Sequence, residues 1–170
     1  MSKGNLLCAF YPQDNHPPSS AMATLTTRNR HAVLAFDDSA VESAFFHGMI
    51  PWNYEAGNGF TVWIIWMAAS AVTLSTRWRI FFERHNDEGT DLDTDSFATS
   101  ITLQGTTVAP ATSGAVQYTS IAVLDDADLR ADGLRAGESF RLQVRRDATT
   151  GTDDMVGDAQ LLAVELRETI

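Results

Sequence analysis

The residues best suited to chemistry are a few acidic and imidazole side chains and one thiol. Asp91, Asp93 and Asp95 alternate in D-L-D-T-D, the spacing with which a calcium loop begins. The rest of that signature fails. Ser96 and Phe97 stand where a glycine and its neighbour belong, and no glutamate closes the loop. A solvated acidic loop without a specific metal is therefore expected. Asp147, Asp153, Asp154 and Asp158 gather around Gly151 and Gly157, where they either meet Arg145 and Arg146 or keep a sheet edge soluble. His16, His31, His47 and His85 show neither H-x-H nor H-E-x-x-H spacing, so a histidine metal site has little support. His85 has acid–base neighbours in Glu83, Arg84 and Asp87, but it reads as a surface residue at a strand end. Cys8 is the single cysteine, which rules out an internal disulfide and a cysteine-based zinc site. It lies in an irregular segment, a poor place to preorganise a nucleophile. No nucleophile elbow, phosphate loop or dinucleotide fingerprint is present. No catalytic, cofactor-binding or metal-ligating residue is assigned, and an enzyme is not expected.

Aromatic side chains form the more informative constellation. Trp52 and Tyr54 lie in the loop P-W-N-Y-E-A-G-N-G, while Trp63, Trp66 and Trp78 lie in apolar runs. Exposed aromatics on a β-sandwich can stack on sugar rings, whereas buried ones fill a core. Trp66 and Trp78 are expected in the core; the loop pair is open to either role.

These side chains must be positioned by strands. Phe60 to Met67, F-T-V-W-I-I-W-M, is the most apolar run and is rich in β-branched and aromatic residues, which suit a pleated strand. Phe60, Val62, Ile64 and Trp66 share one face, and Thr61, Trp63, Ile65 and Met67 share the other. Both rows are apolar, so a second copy of the chain is expected to cover one of them, most simply in a homo-oligomer such as a trimer. A membrane helix is the rival reading. The apolar stretch to Leu74 is about fifteen residues, short of the roughly 20 that a bilayer requires, and Arg77 and Arg79 follow it.

Residues 1–30 are rich in proline, serine and threonine without periodicity and read as an extended N-terminal arm. Its apolar residues Leu6, Leu7, Phe10, Tyr11 and Leu25 are expected to anchor in a partner rather than in the core. Residues 31–170 read as one β domain. Apolar runs at 32–36, 42–50, 60–67, 76–84, 97–108 and 115–124 are separated by turn chemistry, and Phe140, Leu142 and Val144 then Leu162, Val164 and Leu166 alternate with polar residues. Only Asp125 to Leu134 permits a helical turn or two. About eight antiparallel strands without crossover helices predict an all-β, jelly-roll-like two-sheet sandwich, ahead of an immunoglobulin-like sandwich and a closed barrel. The net charge of −10 argues against nucleic acid and against an anionic membrane surface. The N-terminal decapeptide has too short an apolar patch for a convincing signal peptide.

The phrases H-G-M-I-P-W-N-Y-E-A-G-N-G-F-T-V-W-I-I-W-M-A, D-T-D-S-F-A, L-R-A-G-E-S-F-R-L-Q-V-R-R-D-A and D-D-M-V-G-D-A-Q-L, spread over residues 42–166, resemble small tailed-phage virion proteins of the head-decoration or fibre type. That resemblance implies a non-enzymatic β-sandwich of the virion surface. Its first form is a capsid decoration (cement) protein that binds the major capsid protein, using Leu6, Leu7, Phe10, Tyr11, Trp52, Tyr54 and Trp63 as partner-binding residues. Its second is a receptor- or glycan-binding tail-fibre domain.

Overall fold

The computed structural model describes residues 4–70, 73–85, 90–94, 97, 103–123 and 134–169. Ten strands run through them: β1 (Leu6–Phe10), β2 (Thr24–Arg28), β3 (His31–Phe36), β4 (Glu42–Met49), β5 (Phe60–Ala68), β6 (Ser75–His85), β7 (Leu103–Val108), β8 (Val116–Val123), β9 (Ser139–Arg146) and β10 (Ala159–Glu168). Every strand pair is antiparallel. The larger sheet has the order β2-β3-β10-β5-β8, with β1 also on β10, and the smaller has the order β4-β9-β6-β7. The expected two-sheet, jelly-roll-like sandwich is therefore the fold. The expected helical turn at 125–134 lies almost wholly outside the described residues, as does the start of the run expected at 97–108.

The core lies between the sheets. Phe60, Val62, Ile64 and Trp66 of β5 face Trp78, Ile80 and Phe82 of β6 and Phe140, Leu142 and Val144 of β9, all within one buried cluster. Strict alternation on β6 and β9 puts these apolar side chains inward and Arg77, Arg79, Arg141 and Arg145 outward. The buried indole of Trp66 donates to Thr119 Oγ1 at 3.0 Å, and that hydroxyl donates to Thr107 Oγ1 at 2.7 Å. The polar atom of a core tryptophan is thus satisfied where β7 of one sheet approaches β8 of the other. Phe60–Ala68 is a strand, and among the described residues no helix is long and apolar enough to cross a membrane.

Two expectations need correction. The N-terminal segment is extended, but it is woven into the sandwich. β1 pairs with the C-terminal half of β10 and β3 with its N-terminal half. Leu7 and Phe10 are 9% and 7% exposed and belong to the core, Phe10 stacking on Phe46 at 5.4 Å. Short strands flanked by proline lack the periodicity that announces a core strand, and β10 supplies the missing partner. In the second row of β5, Ile65 and Met67 are only 8% and 5% exposed, while Thr61 and Trp63 are half-buried. β5 lies between β10 and β8, and Arg28 reaches over this end of the face to Ala68 O, Gln160 Oε1 and Ser113 Oγ. Finally, a register shift between Leu161 and Ala163 makes Leu162 a bulge, so Leu161, not Leu162, joins Val164 and Leu166 in the core.

Candidate functional site

The loop between β4 and β5 is built on two short-range devices. Ile50 N–H donates to Glu138 O and Gly137 N–H donates to Ile50 O, both at 2.8 Å, which fastens it to the approach to β9. Tyr54, only 5% exposed, packs under the loop as part of the core. Trp52 does the opposite. Its indole is 84% exposed, lying against Gly137, where a Cβ would fall 2.8 Å from Cη2. Gly137 also has φ of +84°, a conformation that favours glycine. The seat of Trp52 therefore depends on a residue 85 positions away. Near it in sequence, Asn58 Nδ2 donates to Glu55 Oε2 at 3.4 Å, and Glu55 N–H donates to Glu168 Oε1 at 3.4 Å. Asn5 Nδ2 donates to the other oxygen of Glu168 at 2.9 Å. The β4–β5 loop thus carries an exposed aromatic plate and, further along it, an amide and a carboxylate held by hydrogen bonds.

Trp63 stands elsewhere, on the outer face of the larger sheet. It is half-buried and meets Tyr118 of β8 edge-on, with ring centroids 6.5 Å apart. Further along the same face, a groove of about 470 Å³ is lined by Arg28, His31, Met67, Ser113, Val116 and Leu162. Of the residues assigned to partner binding, Leu6, Tyr11 and Trp52 are exposed, Trp63 is half-buried, and Leu7, Phe10 and Tyr54 are core. The structure does not bring them together. Gly137 and Tyr118 were missed; a glycine before a strand and an outward tyrosine carry no signal until register is known.

The residues suspected of chemistry are scattered. Asp91 and Asp93 share an exposed turn in which Asp91 Oδ1 accepts from Asp93 N–H at 3.0 Å, while Asp95 lies outside the described residues. Among the described residues no three histidine, cysteine or acidic side chains are placed to hold a metal. Burial pushes the Cys8 thiol up to about 11, which opposes thiolate chemistry. Asp147 and Asp153 meet Arg145 and Arg146, the first of the two roles left open for them. His85 Nδ1 lies 3.2 Å from Ser139 Oγ, and Nε2 lies 3.7 Å from Glu83.

No family model and no curated protein matches the chain. Solved structures do share its fold. CsCBM6-3 from Clostridium stercorarium, in complex with cellobiose, is 8% identical with a TM-score of 0.53, over 96% of this chain and 95% of that one. A cycloisomaltooligosaccharide glucanotransferase from Paenibacillus sp., complexed with cycloisomaltoheptaose, is 10% identical with a TM-score of 0.52, over 96% of this chain. The chain spans only 18% of that enzyme's length. A carbohydrate-binding module from Cellvibrio mixtus lichenase 5A, with cellotriose, is 11% identical with a TM-score of 0.42. The expectation of a capsid decoration protein is corrected here. A chain with this sandwich from end to end was captured with cellobiose, and two of the arm's expected anchors, Leu7 and Phe10, are part of the core.

Proposed function

We propose that the protein is a non-catalytic glycan-binding module. The observation that carries this reading is Trp52, 84% exposed with its indole lying against Gly137. A flat apolar ring exposed to water suits the apolar face of a pyranose, and the amide and carboxylate of the same loop suit ring hydroxyls. The sugar-bound chains that share the sandwich support the same reading.

Isothermal titration against cello-, isomalto- and laminari-oligosaccharides tests it. Trp52→Ala is expected to weaken binding by about tenfold or more, matching the roughly 1.5–3 kcal/mol that burial of a large apolar side chain is worth. Its unfolding midpoint should hardly move, because the ring is exposed. Tyr118→Ala, on the sheet face, should leave this affinity unchanged. Wild-type protein that binds no glycan in the panel, or Trp52→Ala with undiminished affinity, would refute the proposal.

A further inference from the structure

The groove on the outer face of the larger sheet, about 470 Å³ in volume, is separate from Trp52 and its loop. Two turns border it. On one side is the β2–β3 hairpin, where Asn29 and Arg30 form the two-residue turn with φ of +44° and +68°. On the other is the loop before β8, where Gly114 has φ of +77°. Met67, Val116 and Leu162 supply the apolar lining. Met67 and Val116 are cross-strand neighbours, and the bulge in β10 turns Leu162 out of the core.

Arg28 supplies the charge. Its Nη1 donates to Ala68 O at 2.9 Å and to Gln160 Oε1 at 2.8 Å, and its Nη2 donates to Ser113 Oγ at 2.7 Å. Gly114 lies against the same guanidinium, where a Cβ would fall 3.0 Å from Nη2. Every one of these acceptors is neutral. The arginines of β6 and β9 each meet a carboxylate, yet among the described residues no carboxylate comes within ion-pair distance of Arg28. That is unexpected in a chain with 22 acidic and 12 basic residues. Both hydrogens of Nη1 and one of Nη2 are used, which leaves Nε–H and the second Nη2 hydrogen for a ligand. Arg28 is thus held by neutral oxygens with its charge uncompensated, and its remaining donors suit the two oxygens of a carboxylate. Among the described lining residues only the exposed His31 carries a ring, so a pyranose finds no plate here like that of Trp52.

We infer that this groove binds a small amphiphilic acid, with its carboxylate on Arg28 and its alkyl chain along Met67, Val116 and Leu162. The site is independent of the glycan site proposed at Trp52.

Titration of isotope-labelled protein with butyrate, hexanoate and octanoate at constant ionic strength tests it, with hexanamide as the neutral match of hexanoate. Saturable shifts of the Arg28 Nε–H and the Gly114 and Val116 amide resonances are expected. Hexanoate should bind at least tenfold more tightly than hexanamide. Each methylene that leaves water strengthens binding by up to about fourfold, so octanoate should bind at least tenfold more tightly than butyrate. Arg28→Gln should weaken octanoate binding tenfold or more. Because Arg28 also ties the hairpin to the sheet, Val116→Glu is the second variant. Val116 is 50% exposed, so the new carboxylate should leave the melting temperature unchanged while repelling the ligand tenfold or more. Trp52→Ala should bind octanoate as the wild type does. The inference is overturned by the absence of saturable shifts in these resonances, by equal affinity for hexanamide and hexanoate, or by undiminished affinity in Val116→Glu. Shifts of the same resonances by a neutral oligosaccharide would also overturn it, since the groove would then belong to the glycan site. None of those results bears on whether Trp52 binds a glycan, which Trp52→Ala decides.

Discussion

Single residues here are decided by what surrounds their polar atoms. Arg146 is fully buried, yet every direction of its fork is used. Nη2 and Nε reach Asp153 at 2.9 and 3.1 Å, Nη1 reaches Gly157 O and Phe36 O at 2.8 and 3.2 Å, and Nη2 also reaches Met155 O at 2.6 Å. One side chain thereby ties β3, β9 and the loop before β10. Removing one partner of a buried, hydrogen-bonded ion pair typically costs about 3–5 kcal/mol, because the other charge stays buried. Asp153→Ala should lower stability by about that amount in urea unfolding, whereas Asp154→Ala, whose carboxylate only caps the exposed Ser75 N–H at 2.6 Å, should cost about 1 kcal/mol. The cluster of aspartates was visible in the sequence; that Asp147 and Asp153 are the two buried ones was not. Spacing along a loop does not reveal which carboxylate turns inward.

At the scale of elements, β1 is the instructive strand. Its pairing with β10, from Leu6 opposite Arg167 to Phe10 opposite Val164, lengthens the sheet and puts Phe10 between Phe46 and Phe140. Deleting residues 1–11 should therefore lower the melting temperature sharply. Phe10→Ala should cost about 3–5 kcal/mol, the range for emptying a buried aromatic site, as read by denaturant titration. A truncated protein melting with the full chain would show β1 to be dispensable. The β4–β5 loop supplies the matching functional case. Gly137→Ala adds a methyl where Trp52 lies and strains a φ of +84°. It should weaken glycan binding as Trp52→Ala does, with a stability loss of about 1 kcal/mol or more. β6 and β9 were legible because their alternation is strict, whereas β1 is too short and irregular for any local pattern to place it.

For the molecule as a whole, charge and burial combine into a dependence on pH. Glu42 and Asp158 have raised pKa values, chiefly because burial removes water from the charged form, with Asp37 adding repulsion. The native state keeps protons there that the unfolded chain has released, so stability falls as pH rises through the window just above the ordinary carboxylate values. Asp37 runs the other way. Hydrogen bonds from Ser39 lower its pKa, and the stability it contributes is lost only as pH falls below that range. Unfolding midpoints should thus decline as pH rises above the ordinary glutamate value of 4.5, and Glu42→Gln with Asp158→Asn should flatten that decline. An unchanged slope in the double variant would assign it to other groups. Composition and periodicity alone determined that this is an all-β sandwich, that its core is lined by Trp66, Trp78 and their neighbours, and that its chemistry is not that of a recognised catalytic motif. Those properties follow from the alternation of side chains along one strand, which is local. Only the tertiary structure decided that Leu7 and Phe10 of β1 are core, that Trp52 lies against Gly137 and that Arg79 stands opposite Arg145. Each of those depends on register between segments tens of residues or more apart, and a sequence read along its length does not contain the distance across a sheet.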